Sequence, residues 1–158
     1  MKRIALALAL MFVYTAVAHA QTQVNMTVSP VNCGRASTPL YCYGIPVTTP
    51  NGSTGQVWLD IYPNNTGFVA FINVPAFQGA AQITGATRTF NSIGQVTSIQ
   101  VAFAGASDPD GDGDSDPFTG SLTLNFAYYY SAGGGGRGGA GVGWRFTVTS
   151  GSVTIATE

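Results

Sequence analysis

The chain has 158 residues, 45% of them hydrophobic and only 8% charged, where soluble domains average about 25% charged. That composition excludes a polyelectrolyte tail or an acid-rich disordered segment, and the length suits one domain with a substantial core. A formal charge of −1 gives no general attraction to nucleic acid or to an anionic membrane surface, so neither is expected as a partner.

Residues 1–20 read as a secretory signal peptide. Lys2 and Arg3 precede an apolar run from Ile4, and Ala18-His19-Ala20 forms an A-x-A cleavage site. The run is broken by Thr15 and falls short of the roughly 20 residues that a membrane span needs. Cleavage near Ala20 is expected to release a chain beginning at Gln21, secreted, periplasmic or on the cell surface, with no membrane span. Residues 21–158 are then expected to form a single all-β domain. Cleavage also removes the only His and the only Lys, leaving four arginines against seven acids, a net charge of −3.

From Val24 onward apolar residues alternate with polar ones, the period of a half-buried strand. Val24, Met26 and Val28 open the pattern. Cys33 and Cys42 come next, the only cysteines of the chain, and export places them where a disulfide persists. Structural zinc needs four N or S ligands, and two cysteines without a histidine do not supply them. Asn51-Gly52 marks a turn, then Val57, Leu59 and Ile61 share a face, with Trp58 and Tyr62 on the other. Pro63-Asn64-Asn65-Thr66-Gly67 turns the chain. Phe68, Ala70 and Ile72 read as the next inward face, which leaves Phe71 opposite. Ser92-Ile93-Gly94 is a further turn, before Ile99, Val101 and Phe103.

Residues 108 to 116 read Asp-Pro-Asp-Gly-Asp-Gly-Asp-Ser-Asp, five of the seven acids. Alternating carboxylates around a glycine let a tight turn gather oxygens about one hard cation, and calcium tolerates such flexible geometry better than magnesium. The motif D-x-D-x-D-G at Asp108, Asp110, Asp112 and Gly113, extended by Asp116, resembles the EF-hand-like calcium loops of thrombospondin type 3 repeats and bacterial dockerins. The resemblance covers about nine residues. It implies side-chain ligation by Asp108, Asp110 and Asp112, a backbone carbonyl at Asp114, and Asp116 directly or through water. Thr119 stands where such loops carry a bidentate Glu, which implies the weak affinities of about 10⁻⁴–10⁻³ M found in extracellular modules.

Leu122, Leu124 and Phe126 form another inward face, before the cluster Tyr128-Tyr129-Tyr130. The glycine-rich stretch 131–143 contains a formal G-x-G-x-x-G at Gly134, Gly136 and Gly139. The segment after it, Trp144 to Thr149, alternates like a strand, not like the helix a dinucleotide site requires, so the stretch reads as a flexible hairpin loop. Phe146 with Val148, and Val153 with Ile155, close the chain as two strands joined by Ser150-Gly151-Ser152. About eight strands with no helical period predict an antiparallel β-sandwich, with a closed β-barrel as the alternative.

Without His or Lys the usual bases for activating a nucleophile are missing. The chain is therefore expected not to be an enzyme, a calcium-dependent hydrolase using loop aspartates being the one catalytic route left open. The expected role is structural or adhesive at the cell exterior, with calcium and one disulfide for stability. The alternating strand Gln21–Ser29 reads first as an ordinary opening strand, and it can also pair with the sheet edge of a second copy, so that a homo-oligomer or an extracellular matrix or surface polymer is the partner this role implies. The second reading is a carbohydrate-binding, lectin-like module in which Trp58, Tyr62 and Phe71 stack polysaccharide rings. Against it, those rings are expected first to fill the second face of a sandwich strand, and only exposure of a contiguous set would favour the carbohydrate reading.

Overall fold

The computed structural model describes residues 22–74, 77–108, 113–132 and 143–157. The signal segment and the part of the glycine-rich loop from 133 to 142 lie outside them. Among the described residues nine strands occur in order: β1 (Thr22–Val28), β2 (Val31–Arg35), β3 (Leu40–Thr48), β4 (Thr54–Ile61), β5 (Gly67–Val74), β6 (Phe77–Phe90), β7 (Val96–Ser107), β8 (Asp116–Ser131) and β9 (Gly143–Thr157). The expected all-β antiparallel fold is present, and no helix occurs among the described residues.

From β3 to β9 each strand pairs with the next. The sheet does not divide into two facing layers. It closes, because β1 pairs with β9 from Thr22 opposite Thr157 to Val28 opposite Gly151, and also reaches β3. Of the two closures open to such a chain, the barrel is the one adopted rather than the sandwich. Bulges between Cys42 and Ile45, Ile83 and Gly85, and Asn125 and Phe126 bend the ladders, and each adds the local twist that brings the sheet's ends together.

β1 and β2 are two halves of one wall strand. Val31 opposite Val148 continues the register of Val28 opposite Gly151, and the interruption falls at Ser29-Pro30, where proline has no N–H to give a ladder. The wall count is thus eight. Toward β3 this composite strand is thinly bonded: Thr27 opposite Thr48, Val28 opposite Val47, and the Ser29 N–H donating to the Pro46 carbonyl. Continuing that register places Cys33 opposite Cys42, and the disulfide expected from the sequence joins them there, with Cα atoms 4.7 Å apart. The covalent bond clasps a seam that the hydrogen-bond ladder leaves open.

Inward residues pack the body of the barrel with side chains, as an eight-stranded radius allows. Phe71 packs against Phe103 and Phe118 at ring-centroid distances of 5.4 and 6.1 Å, and Phe126 against Phe146 at 5.6 Å. Burying each such side chain contributes about 1.5–3 kcal/mol. Phe103 lies opposite Gly120, and Phe118 opposite Gly105. A Cβ on Gly120 would come within 2.4 Å of both the Phe103 ring and the Thr154 carbonyl, so glycine is what lets the ring lie flat across the neighbouring strand. Outward positions on β8 are Ser121, Thr123 and Asn125, alternating with buried Leu122, Leu124 and Phe126. This polarity is the reverse of a lipid-embedded barrel, whose outer band is apolar.

Two expectations are corrected here. Phe68, Ala70 and Ile72 are not the inward face of β5; Val69 and Phe71 are, and both are buried. Ser150-Gly151-Ser152 is not a turn, since β9 runs straight through it with Gly151 paired to both Val28 and Leu124. A Cβ at Gly151 would sit 2.2 Å from the Thr123 carbonyl, which explains a glycine inside a strand.

The connections alternate between two ends. One end carries residues 36–39, the turn at 62–66, the turn at 91–95 and the β8–β9 connection. The other carries the turn at 49–53, the aspartate segment between β7 and β8, the start of β1 and the end of β9.

Candidate functional site

Exposed aromatic side chains gather near the first of these ends: Tyr43, Trp58 and Tyr62 on the outer wall of β3 and β4, and Phe90, Tyr129, Tyr130 and Trp144 on β6, β8 and β9. In β4 the inward set Val57, Leu59 and Ile61 is fully buried, so strand alternation turns Trp58 and Asp60 outward, and Tyr62 comes next at the start of the turn. In β3 both Cys42 and Ile45 point inward, a spacing that period two cannot give. The bulge at Tyr43-Gly44, with Gly44 at φ 68°, absorbs the extra residue and leaves Tyr41 and Tyr43 outside.

These side chains form one surface. Tyr43 lies 5.2 Å from Trp58 and 6.2 Å from Tyr41 between ring centroids, and the Tyr62 phenol is near enough to Tyr41 to help raise the Tyr41 hydroxyl above its ordinary range. Tyr43, Trp58 and Tyr62 are 49%, 39% and 43% exposed, high for large rings that could have been buried. The Tyr62 carbonyl accepts from the Arg88 guanidinium, and Asn65 donates to the Ala86 carbonyl, so the turn that carries Tyr62 is tied down to β6.

Asp60 sits beneath the rings, opposite Tyr41 of β3 and Phe68 of β5. It is only 7% exposed, and its Oδ1 has no hydrogen-bond partner. Burial pushes its carboxyl above the ordinary range of an aspartic acid. Tyr41 and Tyr43 are raised as well, first by loss of solvent and then by the negative charges beside them, Asp60 among them. A buried, incompletely satisfied carboxylate is costly in a fold and calls for an explanation.

Of the expected aromatic ligand residues, the structure brings Trp58 and Tyr62 together and removes Phe71, which is 1% exposed in the core. It adds Tyr41, Tyr43 and Asp60. The alternation Tyr41-Cys42-Tyr43 was the available signal for the first two, once Cys42 is taken as the inward residue. The cluster Tyr128-Tyr129-Tyr130 is dispersed: Tyr128 stacks on Phe146 inside the wall, Tyr129 accepts a hydrogen bond from Asn32, and Tyr130 meets Trp144 edge to face. Just inside the rim from Tyr62, a cavity of about 300 Å³ is lined by Pro39, Leu40, Ile61, Arg88 and Tyr128 among others.

The aspartate segment lies at the opposite end. The Asp108 carboxylate accepts from the Gly113 N–H at 3.1 Å, drawing the two ends of the segment together. Asp114 and Asp116 are exposed, Asp116 facing Ser107 at the start of β8. Asp110 and Asp112 lie outside the described residues, and among the described residues no three acidic, histidine or cysteine side chains form a metal-holding group.

No protein-family model, curated protein or solved structure matches the chain.

Proposed function

We propose that this chain is an exported, non-catalytic β-barrel that binds polysaccharide on the outer wall of β3 and β4, acting as an adhesive module at the cell exterior. The observation that carries this reading is the neighbouring set Tyr41, Tyr43, Trp58 and Tyr62, the last three of them exposed. Flat aromatic faces receive the apolar C–H faces of sugar rings, while phenolic and indole edges hydrogen-bond the hydroxyls. A sandwich could have buried these rings between its layers. A barrel has one interior, already packed with other side chains, so rings on the outer wall meet water or a ligand.

Assembly through a donated first strand fits less well, because β1 is paired along its length with β9 of its own chain. Adhesion through a sugar platform needs no free strand edge. The aspartate segment is proposed to take calcium as a stabilising ion, separate from the sugar surface.

The test is retention of the mature chain on insoluble polysaccharides, then calorimetry with soluble oligomers. Binding that falls at least tenfold in Trp58→Ala and in Tyr43→Ala, with the circular dichroism spectrum unchanged, supports the platform. Binding unaffected by both substitutions, or no binding to any polysaccharide, overturns it.

A further inference from the structure

We propose that the sugar bound on this wall is an amino sugar with a free ammonium group, and that Asp60 is its counter-ion; the inference rests on the platform reading above. Asp60 is more than nine-tenths buried with Oδ1 unpartnered, and the groups around it are Tyr41 and Tyr43 from β3, Tyr62 at the end of β4, and Phe68 from β5. None is cationic. Arg88, which reaches the adjoining turn, is directed to the Tyr62 carbonyl instead. Among the described residues the wall thus holds a carboxylate in an aromatic enclosure without a cationic partner.

The chemistry of the enclosure selects among partners. A bare divalent cation needs six or more oxygens, and here there is one carboxylate. A quaternary ammonium suits aromatic faces but has no N–H for Oδ1. A neutral sugar hydroxyl satisfies Oδ1 with an ordinary hydrogen bond. A primary ammonium on a sugar ring brings three N–H donors and a full charge, and its ring stacks on Trp58 while the charge lies against the tyrosine faces. Entry requires Tyr43, the most exposed of the rings, to swing aside. Oδ1 is closed off from the surface in the free protein, so the donor arrives with the ligand.

Calorimetry of the mature protein with β-1,4-linked hexamers of glucosamine, N-acetylglucosamine and glucose tests this. The expected result is at least tenfold tighter binding of the glucosamine hexamer, and a preference reduced to within twofold in Asp60→Asn while binding of the neutral hexamers persists. Equal affinity of the wild type for all three, or a preference that survives in Asp60→Asn, overturns the amino-sugar inference and leaves the platform reading standing. No binding of any hexamer overturns both. Asp60→Ser serves in place of Asp60→Asn should the latter fail to fold, and the wild-type comparison alone is decisive if no preference is found.

Discussion

The β7–β8 wall and the β3–β4 wall are made of the same antiparallel ladder and bury the same kind of aliphatic and aromatic side chains, yet they face water differently. Outside the middle of β8 stand the small polar Ser121, Thr123 and Asn125, with exposed Tyr129 and Tyr130 only toward its far end; outside β3 and β4 stand Tyr41, Tyr43 and Trp58 around a buried acid. The inner faces hold the barrel together on both sides. Among the described residues, only the β3–β4 face sets a buried carboxylate among exposed rings, a costly arrangement that adds no packing and on which the proposed sugar site rests.

The sharpest way to test that division is to damage the β7–β8 wall from within. Gly120→Ala forces a Cβ against the Phe103 ring and the Thr154 carbonyl and is expected to lower the unfolding free energy by about 3 kcal/mol, the upper part of the usual overpacking range. Denaturant titration measures it. Sugar affinity of the protein that remains folded should not change, since the platform lies on another wall. A loss below about 0.5 kcal/mol would mean that the ring finds room elsewhere in the core.

The disulfide belongs to the other wall, because it anchors β3 across the seam. Replacing Cys33 and Cys42 together by Ala is expected to cost about 2–3 kcal/mol, the chain-entropy value for so short a loop. Here stability and binding should fall together: with β3 held to β1 only near Thr48 and Ser29, Tyr41 and Tyr43 lose their fixed position. Binding that survives at full strength in the double variant would show that pairing with β4 alone positions the rings.

Much of this division can be read in the sequence, and the failures have physical causes. Val57, Leu59 and Ile61, or Leu122, Leu124 and Phe126, are legible because their strands carry polar residues on the opposite face. β5 is apolar on both faces, so period two could not choose between Phe68, Ala70, Ile72 and the true inward pair Val69 and Phe71. The bulge at Tyr43-Gly44 hides β3 by spacing Cys42 and Ile45 three apart. β6 escapes notice because its wall is lined by small residues such as Ala81. Ring closure leaves no local trace at all, since it joins Thr22 to Thr157. The platform was half visible for the same reason: Trp58 and Tyr62 are legible from β4, whereas Tyr41 and Tyr43 require the bulge and Asp60 requires knowing what covers it.

Calcium separates the walls by a milder route. The aspartate segment links β7 to β8, at the end of the barrel away from Tyr62. With dissociation constants of about 10⁻⁴–10⁻³ M, 10 mM calcium is expected to stabilise the fold by about 1.4–2.7 kcal/mol, read as a rise in the thermal midpoint that chelator reverses. Asp112→Asn should shrink the rise. Sugar affinity should be the same with calcium and with chelator, and a sugar site that needs calcium would erase the distinction between the two walls.

The smallest effect has the most informative sign. Because burial raises the Asp60 carboxyl above its ordinary value of 3.8, the folded protein binds that proton more tightly than the unfolded chain does. Ionising Asp60 therefore opposes folding: the penalty is absent below about 3.8, grows as pH rises toward the elevated folded value, and is constant above it. Asp60→Asn removes the charge and is expected to raise the unfolding free energy at pH 7 by on the order of 1 kcal/mol, the gain fading as pH is lowered through this window. Thermal melts of both proteins from pH 3 to pH 7 measure it. A substitution that stabilises the barrel while removing its preference for a cationic sugar would place Asp60 with the ligand. One that destabilises at neutral pH would place it with the fold, as part of the β3–β4 wall's own packing.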